Sequence, residues 1–235
     1  NLSQKDQYGV LELGMDKMGE IDYLSKIVRP DISVITNINY AHIKNFKNLK
    51  QIALAKSEII GNTKENGFIV LNADDIFFSL HKRLAVKRNL KVSSFGIKSK
   101  NSNIKLISVL KVGKKFKINI KINDIKTYFL TSNNFQNNIL NILAALAVMS
   151  TFLDIYKLSK NIFLNFVIPS GRGDISKIKV NNKKINLIDE SYNSNPLSLK
   201  SAIFNYNKLE TKKSKKYLLL GDMLELGKRS KKLHK

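Results

Sequence analysis

The 235-residue chain contains no cysteine, which excludes a disulfide framework and any thiolate metal site. Such a chain suits a compartment that is reducing or indifferent to redox. Acidic residues are scarce: 18 Asp and Glu stand against 41 Lys and Arg, for a net charge of +23. That imbalance invites a polyanion-binding reading. The lysines, however, are spread along the chain rather than clustered with aromatics. Lys, Asn and Ile are abundant together, as codon drift in an AT-rich genome would produce, so most of this charge reads as solvated surface. No apolar run follows a basic start, so no secretory signal is visible. The longest apolar stretch, ILNILAALAVMSTFL (139–153), carries Asn141 and falls short of the roughly 20 residues that span a bilayer. It reads as a buried helix. What is present is a hydrophobic fraction of 43%, enough for a core in one or two domains. The chain starts without Met, meets a strand-like run almost at once and ends in KRSKKLHK, and so reads as a fragment.

The first third alternates strand and helix. YGVLELG (8–14) predicts a buried strand, GEIDYLSKIV (19–28) a helix, and DISVITNI (31–38) a second strand. NLKQIALAKSEII (48–60) predicts the next helix and GFIVLNADD (67–75) a third strand. This rhythm predicts an α/β fold with a mostly parallel sheet. Residues 91–131 change period: Phe116, Ile118, Ile120 and Ile122 alternate strictly, which predicts an added antiparallel ribbon. Helices are expected over 134–153 and again around 155–166. PSGRGD (169–174) is a turn-rich breaker and a candidate domain boundary. Beyond it, INLIDESYNSNP (185–196), a helix over 197–208 and KYLLLGDM (216–223) predict the start of a second βαβ unit.

Ligands in open α/β sheets bind beyond the carboxyl ends of strands. Glu12 closes the first expected strand, His42 follows the second, and Asp74 and Asp75 follow the third. Each alone is as consistent with a surface, capping or core role. Together, a carboxylate and an imidazole suit a divalent metal, and a phosphate-bearing substrate would favour Mg²⁺. Lys56 falls on the apolar face of its helix. It either snorkels to water or is a desolvated amine of depressed pKa, able to form a Schiff base or a carbamate. Asn138 and Asn141 lie three apart on one helix face, fit either for capping and a buried contact or for a purine edge. Arg172, between two glycines, fits a phosphate fork or an ordinary hinge. Asp189 and Glu190 stand at a further strand end, where an acid accepts from ribose hydroxyls.

VLELGMDKMGEIDYL, VITNINYAHI, ALAKSEII, NADD, SGRGD, LIDESYNSNP and LLLGDMLELG follow one another in this order. The ordered set resembles the Mur ligase family, and GDMLELG with DESYNSNP marks the MurF type. The resemblance implies residues 1–180 as most of a central ATP-binding domain and 181–235 as the start of a Rossmann-like C-terminal domain. The family's G-x-x-G-K-[ST] phosphate loop does not occur in this chain, so it is expected before residue 1 along with the sugar-nucleotide domain. The implied activity is ATP-dependent addition of D-alanyl-D-alanine to UDP-N-acetylmuramoyl-tripeptide, with the isolated chain inactive. The implied cofactors are ATP and Mg²⁺, the setting the bacterial cytoplasm, and the state a monomer with no nucleic acid and no membrane insertion. Glu12, His42 and Lys56, as a carbamate, match the metal-binding positions. Arg172 matches the phosphate-reaching arginine, and Asn138 and Asn141 the residues near adenine. Glu190 matches the ribose acid, where Asp is commoner, with Tyr192, Asn193 and Asn195 near the nucleotide. Phe135 and Asn137 depart from the family's Gly and His. The alternatives are another Mur ligase of the amino-acid-adding MurE type and, more remotely, a basic nucleic-acid-binding α/β protein.

Overall fold

The computed structural model describes residues 3–40, 43–166, 168–209 and 215–234. A six-stranded sheet carries the first two thirds of the chain. Its strands are β1 (Ile32–Ile35), β2 (Phe68–Asn72), β3 (Lys91–Gly96), β4 (Ile104–Val112), β5 (Lys115–Ile122) and β6 (Ile125–Thr131), in that spatial order. β1 to β4 run parallel, and β4, β5 and β6 form an antiparallel meander. The mixed α/β class with an added ribbon is therefore observed as expected.

Two cores lie on opposite faces of this sheet. Val70, Phe95, Ile118, Ile120, Ile122 and Phe129 face α4 (Gln136–Met149). The α4 side chains Ile142, Leu143 and Leu146 are buried there, each withdrawing about 1.5–3 kcal/mol of apolar surface from water. Ile35, Ile69 and Leu71 face the other way, toward α2 (Leu49–Asn62) and α3 (Phe78–Lys87). β2 therefore buries both its faces, which is why FIVLN reads as an unbroken apolar run. α1 (Glu20–Val28) packs along α2.

Capping explains where the helices begin. At α2 the side chain of Asn48 accepts from the N–H of Gln51 at 3.0 Å. α1 begins at Gly19, which has no side chain to cap it. Glu58 of α2 does so instead, accepting from the N–H groups of Gly19 (2.9 Å) and Asp22 (3.0 Å).

Four expectations are corrected. Residues 8–14 form no strand, and Val10 is 98% exposed. A strand needs a ladder partner, and no described strand offers this segment one. Residues 155–166 form no long helix. Asp154 caps a short 3-10 turn, Ile155–Lys157. The segment then runs along β6, where Lys160 accepts from the N–H of Leu130 (2.8 Å) and Phe163 bridges Thr131. Residues 216–221 form no strand and leave Leu219 99% exposed. Tyr206 Oη donates to the Tyr217 carbonyl at 2.6 Å, tying this stretch to α5 (Pro196–Lys208) rather than to a sheet. Finally, β7 (Asp174–Val180) and β8 (Lys183–Asp189) pair antiparallel as a separate hairpin, so among the described residues β8 has no parallel partner of a βαβ unit. α3 is a helix that periodicity did not announce.

Candidate active site

The carboxyl ends of β1, β2 and β3 are laced together by the Asn72-Ala73-Asp74-Asp75 turn. Asn72 Nδ2 donates to the Thr36 carbonyl at 3.0 Å, at the exit of β1. Its Oδ1 accepts from the Asp74 N–H at 2.9 Å. Asp74 takes the N–H groups of Ile97, Lys98 and Ser99 at 2.6, 3.0 and 2.7 Å, beyond β3. Asp75 accepts from Ile38 N–H at 2.8 Å with Oδ2 and from Phe77 N–H at 2.8 Å with Oδ1. The second bond is a side-chain turn that starts α3, the signal by which that helix could have been found in the sequence.

Lys56 lies against this lacework. Its Nζ donates to the Asn37 carbonyl at 3.0 Å, at the mouth of β1. Desolvation pushes its pKa below the usual lysine range, against the attraction of Asp75. Lys56 is half-buried, with its stem on the helix face that packs on the sheet and its ammonium held at the Asn37 carbonyl. Nearby, His81 of α3 is buried, and its Nε2 lies 3.1 Å from the Ala53 carbonyl, one turn before Lys56. Desolvation lowers its pKa, with smaller opposed contributions from the Ala53 hydrogen bond and Asp75 and a further lowering by Lys56. His81 was not singled out in the sequence. A histidine among lysines in FSLHKRLAVK carries no local mark of burial.

Glu12 is exposed, with no hydrogen-bond or ion-pair partner among the described residues, so its carboxylate is free for a hard cation. His42 lies outside the described residues. Among the described residues, no three His, Asp or Glu side chains converge as a metal cage. On α4, Asn138 is buried and donates to Thr131 Oγ1 at 3.2 Å, while Asn141 is exposed. Asn137, on the same first turn, accepts from Ser201 of α5 at 3.2 Å. The element following the SYNSNP turn is thus docked on the start of α4.

The glycine-flanked arginine sits where backbone space is tight. Gly171 and Gly173 have φ of 76° and 96°, and a Cβ at either would come within 2.9 Å of Tyr192 and 3.0 Å of Glu190 Oε1. These close approaches bring the 171–173 loop against residues 190–192, with Gly173 N–H donating to Asp189 O at 2.6 Å and Tyr192 N–H to Gly171 O at 3.1 Å. The exposed guanidinium of Arg172 stacks over the Tyr192 ring at 4.4 Å. The Glu190 carboxyl lies against the Gly173 backbone. Desolvation first, then the charges of Asp189 and Asp174, push its pKa up. Asn193 is exposed, and Asn195 caps α5, accepting from Leu197 and Ser198 N–H groups.

GDMLELG also finds a place. Met223 and Leu226 are buried in the core that holds Ile43 and Phe46. Lys44 N–H donates to Glu225 O at 3.1 Å, and the Lys44 ammonium pairs with Glu225 Oε1 at 3.3 Å.

Residues 1–149 match the Mur ligase middle domain. The chain belongs to the Mur ligase family. Among Mur ligases it is similar to the UDP-N-acetylmuramoyl-tripeptide–D-alanyl-D-alanine ligase of Rickettsia prowazekii, 33% identical over 241 residues covering 100% of this chain and 51% of that protein. The ligase of the same name from Buchnera aphidicola (subsp. Acyrthosiphon pisum) is 39% identical over 99% of this chain and 50% of its own length. In structure the chain is similar to MurF from Acinetobacter baumannii, with a TM-score of 0.85 and 26% identity over 99% of this chain and 49% of that one. It is similar too to the MurF ligase of Thermotoga maritima in complex with ADP, with a TM-score of 0.77 and 27% identity over 97% of this chain and 52% of that one. The chain spans about half the length of the curated relatives it matches. No helix of the described residues is long and apolar enough to cross a membrane.

Proposed function

We propose that this chain is part of an ATP-dependent amide ligase that joins D-alanyl-D-alanine to UDP-N-acetylmuramoyl-tripeptide in peptidoglycan precursor synthesis. The observation that carries the reading is similarity to MurF-type ligases along the whole chain, one of them solved with ADP. Residues 1–180 belong to the ATP-binding central domain and 181–235 to the start of the C-terminal domain. The reaction is assigned to the cytoplasm and to a monomer.

The tripeptide carboxylate attacks the γ-phosphate of ATP, releasing ADP and giving an acyl phosphate, and the neutral amine of D-alanyl-D-alanine then displaces inorganic phosphate through a tetrahedral intermediate, losing a proton as the amide forms. Such a transfer is helped by positioning and charge neutralisation rather than covalent chemistry by the protein. Arg172, held on the Tyr192 ring, offers its fork to the phosphates. Asn138 and Asn141 flank the adenine, and Glu190 accepts from the ribose, with Tyr192, Asn193 and Asn195 around the nucleotide. Asn195 can serve with its amide N–H groups while its oxygen caps α5. Glu12, His42 and Lys56, once carbamylated, would hold Mg²⁺, which when bound neutralises charge on the phosphoryl group. The donor chemistry fits, since Glu12 is unpartnered among the described residues. Desolvation also keeps the Lys56 amine closer to the neutral form that takes up CO₂.

The test uses the full-length enzyme. Lys56→Ala should lower D-alanyl-D-alanine-dependent phosphate release by about 10²-fold or more, with partial recovery in formate or acetate. Unchanged turnover would sink the role of Lys56. Phosphate release triggered by a single amino acid but not by D-alanyl-D-alanine would move the chain to another Mur ligase type.

A further inference from the structure

One peptide group beside Lys56 is gripped from both sides. The carbonyl of the Asn37–Ile38 peptide accepts from Lys56 Nζ at 3.0 Å, and its N–H donates to Asp75 Oδ2 at 2.8 Å. In a trans peptide the two groups point in opposite directions. An N–H donor at the oxygen and an anion at the hydrogen therefore polarise the same dipole in the same sense, and each bond strengthens the other. Asp75 is well fixed for this task. Its second oxygen holds Phe77 N–H at 2.8 Å, so the carboxylate cannot rotate freely. The preceding residue is pinned too, through Asn72 and the Thr36 carbonyl at 3.0 Å.

Plain architecture does not account for the Asp75–Ile38 bond. Asn72 already ties β2 to the exit of β1, and Asp74 ties the turn to residues 97–99. Starting α3 uses only Oδ1 of Asp75. The other oxygen is directed across the strand ends to the peptide that receives the lysine.

We propose that Asp75 is a positioning residue for Lys56: it orients the Asn37–Ile38 peptide so that its carbonyl holds the ε-amine at the carboxyl ends of the strands. Asp75 touches no substrate in this arrangement and acts on the amine through one peptide group, beside its direct attraction for the amine. The catalytic consequence rests on the role proposed for Lys56, whereas the positioning itself does not.

Two measurements test it. The first is competitive acetylation of lysines in the full-length enzyme, read by peptide mass spectrometry. Asp75→Asn should speed labelling of Lys56 about threefold or more relative to Lys50 and Lys64, because its amine loses an oriented acceptor. Lys50 shares α2 with Lys56 and Lys64 follows it, so general loosening would raise all three together. An unchanged Lys56-to-Lys50 ratio would overturn the proposal.

The second measurement is a double-mutant cycle in the full-length enzyme. Asp75→Asn should lower kcat about tenfold in the parent with little change in KM for ATP. It should lower activity less than about twofold in Lys56→Ala rescued by acetate. Equal losses in both backgrounds would assign Asp75 to folding alone and refute the positioning role. Asp75→Glu, which keeps the carboxylate, should recover part of the loss only where Lys56 is present. If Lys56→Ala keeps full activity, the catalytic reading of Lys56 falls, and the labelling ratio still decides the positioning.

Discussion

Lys56 of α2 and His81 of α3 are two basic groups that burial drives toward neutrality, and His81 contacts Ala53, one turn before Lys56. Their effects on stability follow from linkage. The folded-state pKa of His81 lies below its ordinary value of 6.5. As pH falls below that value the unfolded chain takes up a proton that the folded chain still refuses. Stability present above pH 6.5 is therefore lost as pH drops through the folded pKa. The raised pKa of Glu190 acts in the opposite sense, gaining stability at low pH, so the comparison must be made against a variant. His81→Gln, which can still donate to the Ala53 carbonyl, should lose less stability between pH 7.5 and pH 5 than the parent. Urea midpoints at the two pH values measure this; identical slopes would show that His81 does not titrate on unfolding.

α1 illustrates how an element can depend on a distant residue for its first turn. Its N-cap position is a glycine, and the acceptor for Gly19 and Asp22 N–H groups comes from Glu58, on the neighbouring helix. The carboxylate also faces the positive end of the α1 dipole. Glu58→Ala should cost about 1–2 kcal/mol in urea unfolding, and Glu58→Gln less, since the amide oxygen can still accept. A loss of only a few tenths would mean that packing of α1 on α2 holds the turn without the cap. α1, α2 and α4 were legible because each carries a sustained apolar stripe. α3 was missed because its start is an Asp75 side-chain turn read as strand-end acid, and its apolar face is broken by His81, Lys82 and Arg83. Residues 155–166 misled because a helical pattern there is overridden by attachment to β6.

Across the molecule, two extended apolar segments lie open. Val10 and Leu219 are 98% and 99% exposed, with Leu11, Leu218 and Leu220 about half exposed beside them. Exposed apolar segments with unpaired backbone are templates for association. The double variant Val10→Lys, Leu219→Lys should lower concentration-dependent light scattering of this chain and leave its urea midpoint unchanged. Scattering equal to that of the parent would show that these segments do not drive association. Elsewhere the chain connects its parts through specific contacts: Ser201 to Asn137 at the head of α4, and Met223, Leu226 and Glu225 to the turn at residues 43–46. These contacts place the SYNSNP turn and GDMLELG against the central sheet.

Sequence alone determined what depends on local pattern. The 3.6-residue stripe of α2, the strict alternation of β5 and the apolar run of β2 each specify an element and the face it buries, because side-chain direction follows from backbone period. The order of the motifs was enough to point to the family. Only the tertiary structure decided whether a strand-like run became a strand, because a ladder needs a partner and 8–14 and 216–221 find none among the described residues. It also decided what Lys56 meets. Periodicity puts a lysine on an apolar face whether it snorkels or is desolvated. The Asn37 carbonyl at 3.0 Å and Asp75 beyond it lie 19 residues away on either side in sequence, and only folding brings them to the amine.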